Sequence, residues 1–420
     1  MTVGMGTRRT STMTSGESTI RPEIRARLDD ALAGLRALRL DKSPDGFRPG
    51  ASAAIVAAGL HAMTLSRERI GFAVGLAEAV QVLSEIAALD GSTGLGLAMH
   101  THVLGGTIES GAWPEEPARR FLRSVAEEGA LANAASTEEG TGSPARGGLP
   151  DTIATRDGDE YRISGQKTWT TWLQVLRWAL VSARMVDGEE TPTDDDAPVT
   201  IGNLLVDLSL PGVERLPGFE ALGMRGSASG RLVLHDVRVP IDCLVVRRRP
   251  GEPDPRGASP AGWFGLCVAA VYLGVGEGAR ANVVRWAIDR RPGDGSTAVA
   301  EIPSVQVRLG RLDAALRAAR LVLLDVADRW DAADAPGRAA LMGDVTLAKI
   351  GATNAAVLAT DEALRIAGGP GFMAGPLERA FRDARAGLIN PPLDDVAYQG
   401  FAKRLIDEAR RETVARQPLA

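Results

Sequence analysis

Only two cysteines stand in the 420 residues, Cys243 and Cys267, and neither belongs to a Cys-x-x-Cys pair or a histidine cluster. That argues against a disulfide framework or a structural zinc site and leaves both thiols as small buried hydrophobes. Aromatic residues make up 4% of the chain, so its helices are expected to pack through Ala, Gly and Leu rather than around an aromatic core. There is no concentrated basic stripe: the formal net charge is −5, and Arg247-Arg248-Arg249 is stopped at once by Pro250. A nucleic-acid partner is therefore not expected. Nor is there an unbroken run of about 18 apolar residues, so no membrane span is expected. Met1 to Ser18 is polar and lacks the apolar stretch of a secretory signal; its arginines and scarcity of acids resemble an organelle transit peptide only faintly. Residues 1–19 read as a disordered tail, and the cytoplasm is the default location.

What is present has two grammars. Over residues 20–130 the pattern is helical: Ile24, Leu28, Leu32, Leu35 and Leu38 recur at helix spacing behind Pro22, which suits a first turn. Phe72, Leu76, Val80, Leu83 and Ile86 predict a second helix, and Asp90-Gly91-Ser92 breaks it and caps a third near Thr93. Over 131–250 the period shortens. Thr152–Arg156 and Glu160–Lys167 flank Asp157-Gly158-Asp159 as a hairpin, and 176–184, 200–208 and 231–239 predict further strands. The acidic stretch 187–196 predicts a solvated loop. Over 251–420 helices return: one from near Gly262 to before Pro292, one after Pro303, and one from Pro336 to Gly368. Helices, a small β unit, then helices make an α+β fold, without the βαβ alternation of a Rossmann sheet.

Four motifs punctuate this order. They are Ser136-Thr137-Glu138-Glu139-Gly140-Thr141-Gly142-Ser143, Gly165-Gln166-Lys167-Thr168-Trp169-Thr170-Thr171, Gly223-Met224-Arg225-Gly226-Ser227 with the strand 232–240, and Gly368-Gly369-Pro370-Gly371-Phe372 through Arg382-Asp383-Ala384-Arg385. In sequence and spacing they resemble motifs of the acyl-CoA dehydrogenase superfamily, and the likeness covers roughly 20–410. The resemblance implies an N-terminal helical domain, a central β domain and a C-terminal four-helix bundle binding FAD, with FMN also admissible. It implies that Thr137 faces the flavin, that Ser143 lies near a phosphate, that Trp169 packs on the isoalloxazine and that Thr171 donates to flavin N5. It also places Arg290, Arg365, Gly368 and Gly369 along the diphosphate of a neighbouring subunit's FAD, hence a homodimer or homotetramer.

The chain departs from the family where the chemistry is done. The family's general base is a Glu ten residues into the segment beginning Arg-Asp-Ala, and that position here is Pro391. The alternative base position, early in the first C-terminal helix, is Phe264. Asp394, in the rewritten edge Asn390–Asp395, is a candidate relocated carboxylate beside the plainer reading of a helix cap. His100, with His102 two residues on, offers a candidate for stabilising a flavin–oxygen adduct. Two enzymatic readings stay open: dehydrogenation of an acyl thioester, with an electron-transfer partner, or monooxygenation of a small molecule with flavin supplied reduced by a reductase.

Overall fold

The computed structural model describes residues 20–38, 45–69, 71–140, 148–186, 199–218, 220–293 and 295–415. The acidic segment 187–196 lies outside them. Five helices open the fold: α1 (Pro22–Ala37), α2 (Pro49–Ala57), α3 (Leu76–Leu89), α4 (Gly91–Ser110) and α5 (Glu115–Glu128). In α1 the predicted stripe is the buried one, with Ile24, Leu28 and Leu35 fully inside. The second predicted helix begins four residues late: Phe72 stays outside it because Ala73 is left-handed (φ 48°) and Val74 and Phe72 both bond back to Met63. Asp90 caps α4 as expected, its Oδ2 accepting from Thr93 N at 2.8 Å.

The strands are β1 (Ala132–Ala135), β2 (Ile153–Asp157), β3 (Glu160–Thr170), β4 (Trp178–Val186), β5 (Thr200–Asp207), β6 (Val213–Gly218), β7 (Gly230–Pro240) and β8 (Leu244–Arg248). They form one mixed sheet in the order β6-β7-β3-β2-β4-β5-β8, with β1 parallel to β4 off that path. The predicted hairpin is β2–β3, paired antiparallel from Asp157–Glu160 to Ile153–Ser164. The remaining elements are α6 (Ser259–Asp289), α7 (Pro303–Ala332), α8 (Ala335–Ala340), α9 (Met342–Ala367), α10 (Gly369–Phe372), α11 (Pro376–Ile389) and α12 (Asp394–Ala415). The single helix expected from Pro336 to Gly368 is two, because the last turn of α8 tightens and Leu341 N bonds both Gly337 O and Arg338 O.

The centre of the molecule is α6, packed against α3 and α4 on one side and α7, α9 and α11 on the other. Its most apolar stretch has a mean hydropathy of 1.4, enough to cross a membrane, yet 83% of that stretch is buried in the protein. Small residues give it that reach. A Cβ at Gly274 would stand 2.2 Å from Ser84 O and one at Gly278 2.2 Å from Ala88 O, so α6 and α3 approach backbone to backbone. Both cysteines are buried and free, as their composition suggested.

Candidate active site

Three of the four motifs meet at the ends of β1 and β3. Thr168 N donates to Thr137 O at 2.8 Å, tying the first motif to the second. Trp172 N donates to Ser227 O at 2.8 Å, and the hydroxyls of Thr171, Ser229 and Ser227 form a chain of contacts of 3.0 and 2.9 Å, tying in the third. Beneath them Lys167 Nζ reaches Glu138 Oε1 at 2.5 Å, both side chains buried. Glu138 also accepts from Asp151 N, Thr152 N and Thr152 Oγ1, so its lone pairs are taken from several sides. Burial alone would raise this carboxyl, but Lys167 and Thr152 outweigh it and bring it down to about 2. Burial in turn lowers Lys167, against the pull of Glu138.

That buried pair makes the strand ends rigid where the backbone is distorted. The β3–β7 ladder slips register between Lys167 and Thr170, and Trp169 sits in the slip with φ 57°. Trp172 is also left-handed, φ 59°. Two bulky residues in that region are strained, and such strain persists only where surrounding contacts impose it. The result turns Trp169 outward, 48% exposed, while Trp172 is buried against Gly96, where any Cβ would lie 1.8 Å from its ring. Behind the exposed indole, Thr170 Oγ1 is buried without a hydrogen-bond partner among the described residues. An outward flat ring, an unspent hydroxyl and half-buried Thr137 fit the edge and face of a flavin.

The other expected residues are placed differently. His100 is fully buried on α4, and both ring nitrogens are taken: Nδ1 accepts from Ala132 N at 3.0 Å and Nε2 bonds His61 O at 2.8 Å. Burial, then the nearby His61, lowers it to about 3. This corrects the expectation of a cavity-lining histidine, since a sealed, neutral and fully bonded ring has nothing to offer an oxygen adduct. His102 packs edge-on against half-buried Phe264, ring centres 5.3 Å apart. Asp394 opens α12, its Oδ2 accepting from Asn354 Nδ2 at 2.7 Å and its Oδ1 buried without a partner among the described residues. Arg290, Arg365, Gly368 and Gly369 are exposed on the C-terminal bundle, with Arg365 paired to Asp361 at 2.7 Å, so they are not gathered with the first three motifs in this chain. Ser143 lies outside the described residues. Sequence reasoning missed the Glu138–Lys167 pair and Ser229. The available signal was one buried-type charge of each sign inside two motifs already singled out.

Residues 133–237 match the acyl-CoA dehydrogenase middle domain and 266–389 its C-terminal domain. YdbM of Bacillus subtilis, assigned to the acyl-CoA dehydrogenases, is 34% identical over 346 residues, 82% of this chain and 86% of its own. The fold matches butyryl-CoA dehydrogenase of Megasphaera elsdenii with a TM-score of 0.78 at 19% identity, over 93% of this chain and 100% of that one. It matches TdsC of a Paenibacillus, a dibenzothiophene monooxygenase solved with FMN and indole, with a TM-score of 0.76 at 24% identity, over 89% and 94% of the two chains. The chain belongs to the acyl-CoA dehydrogenase family of flavin-dependent oxidoreductases.

Proposed function

We propose that this chain binds FAD at the Trp169–Thr171 face and oxidises an acyl thioester across its α,β bond, handing the electrons to a separate redox protein. The observation that carries this reading is the buried Lys167–Glu138 pair beneath an outward, left-handed Trp169. Bound flavin supplies the two-electron chemistry, and FMN fits the same face. The chain's own part is positioning: Trp169 packs the ring, Thr137 meets its polar edge, and Ser227 and Ser229 orient the Thr171 hydroxyl. Asp394 is the proposed proton acceptor, standing three residues past the family's base position. Arg290, Arg365, Gly368 and Gly369 are proposed to meet the diphosphate across a homodimer or homotetramer interface.

One observation favours a second reading, a monooxygenase fed reduced flavin: Pro391 and Phe264 leave both family base positions without a carboxylate. With His100 sealed, that reading lacks its oxygen-handling residue. An anaerobic absorbance titration of FAD-reconstituted protein with a panel of acyl-CoAs separates the two. Bleaching of the oxidised flavin band is the expected outcome, and Asp394→Asn should slow it by about 10²- to 10⁴-fold, the range for loss of a general base. No bleaching, with oxygen consumed only when reduced flavin is supplied, would overturn the dehydrogenase in favour of the monooxygenase.

A further inference from the structure

Lys349 lies on α9 with its side chain wholly buried, and its Nζ donates to Gly387 O and to Pro392 O at 2.9 Å each. Burying an ammonium is costly unless its donors are used, and here both partners are neutral carbonyls. These are carbonyls the local backbone serves poorly. Inside a helix the carbonyl of residue i accepts from the amide of i+4. For Gly387, on the last turn of α11, that residue is Pro391, which has no N–H. Gly387 itself permits the approach: a Cβ there would stand 2.8 Å from Thr353 Cγ2 and 2.9 Å from Tyr272 Cγ. Pro392 lies on the far side of the two-proline turn, just before α12. One cation therefore ties both sides of the turn. Within the span it encloses, Asn390 Nδ2 donates to the Tyr272 hydroxyl at 2.6 Å, and just beyond it Asn354, also on α9, holds Asp394.

We propose that Lys349 is the positioning residue of the Asn390–Asp394 edge, capping the last turn of α11 where the chain leaves the helix at extended Asn390. The proposal deepens the reading of this segment as the substrate-facing edge of the flavin site and rests on it for its functional consequence. Burial brings Lys349 down to about 8 against the pull of Asp394, so the opened segment takes up the proton more readily than the closed one, and the closed edge gains stability as pH rises through about 8. Titratable groups on the helices packed around it include Tyr272 on α6, which burial pushes up, Asp383 and Arg385 on α11, and Asp394 and Asp395 at the start of α12.

Hydrogen exchange read by mass spectrometry over 385–397 in the FAD-reconstituted protein tests this. Lys349→Met should raise exchange there about tenfold. Corrected for intrinsic rates, the native protein should gain protection as pH rises through about 8, where the buried ammonium gives up its proton, while Lys349→Arg, charged throughout, should show no such gain. Should Lys349→Met fail to fold, the pH series of the native protein and Lys349→Arg decides alone. Unchanged exchange in Lys349→Met, or no difference between the two pH series, would overturn the proposal. A loosened segment with an unchanged flavin band upholds Lys349 as the anchor and removes the edge from the flavin site, so the two readings fail separately.

Discussion

Lys167 and Glu138 lie 29 positions apart and become one unit only when β1 and β3 align their ends. Truncating one partner strands a buried charge, so Lys167→Met is expected to cost about 3–5 kcal/mol, read as a lowered urea midpoint. The double change Lys167→Met with Glu138→Gln should recover much of that loss. Because the Glu138 carboxyl is held at about 2, below its ordinary 4.5, its stabilisation is present above pH 4.5 and fades as pH falls toward 2. His100 acts in the same direction: held at about 3 against an ordinary 6.5, it costs stability as pH drops from 6.5 to 3, because the unfolded chain takes up the proton first. Substituting His100 by Gln should flatten that limb of the stability curve without altering flavin reduction; a selective loss of turnover at full flavin occupancy would return His100 to the chemistry. The sequence displayed His100 plainly but gave no sign that Ala132 N and His61 O consume its two nitrogens.

At the scale of elements, helices are held by partners distant in sequence. Asp331 on α7 accepts from Leu76 N at 2.8 Å and Ala77 N at 2.9 Å, capping α3 from another helix. Asp331→Ala is expected to cost about 1–2 kcal/mol, as loss of a side-chain cap does, measured by chemical denaturation. Gly274→Ala should be harsher than a helix-propensity scale allows, because its new Cβ meets the Ser84 carbonyl; a raised melting temperature would show that α6 and α3 are not so closely packed. Periodicity made α1, most of α3, α6 and α7 legible, since each buries a continuous stripe. The short strands β1, β6 and β8 were not, because four to six residues carry too little alternation to separate them from a loop.

Across the whole molecule, the sheet and the C-terminal bundle are joined through Asp383, whose Oδ1 accepts from Met224 N at 2.5 Å. Complete burial, with Asp90 and Asp45 nearby, pushes Asp383 up to about 7. A raised carboxyl favours the fold while protonated, so its contribution is lost as pH climbs from about 4 through 7, opposite in sign to Glu138 and His100. Asp383→Asn keeps the acceptor without the charge and should remove that loss, so that thermal stability rises with pH over the window as His100 dictates. Beside Gly368 and Gly369, Phe372 and Met373 are 80% and 70% exposed, an adjacent apolar pair on the surface. If a second copy covers it, Phe372→Asp with Met373→Asp should shift sedimentation toward monomer and lower FAD occupancy together.

The sequence by itself determined the order of helices, sheet and helices, the family, and three motifs that close on one face, because periodicity and backbone-demanding residues act locally. It also determined what is missing, since a carboxylate absent from both base positions is visible without coordinates. Only the tertiary structure decided which polar groups are spent and which are left over. That sealed His100, paired Glu138 with Lys167, turned Trp169 outward and set Lys349 against the two-proline turn, because hydrogen-bond satisfaction depends on neighbours that the chain brings together only by folding.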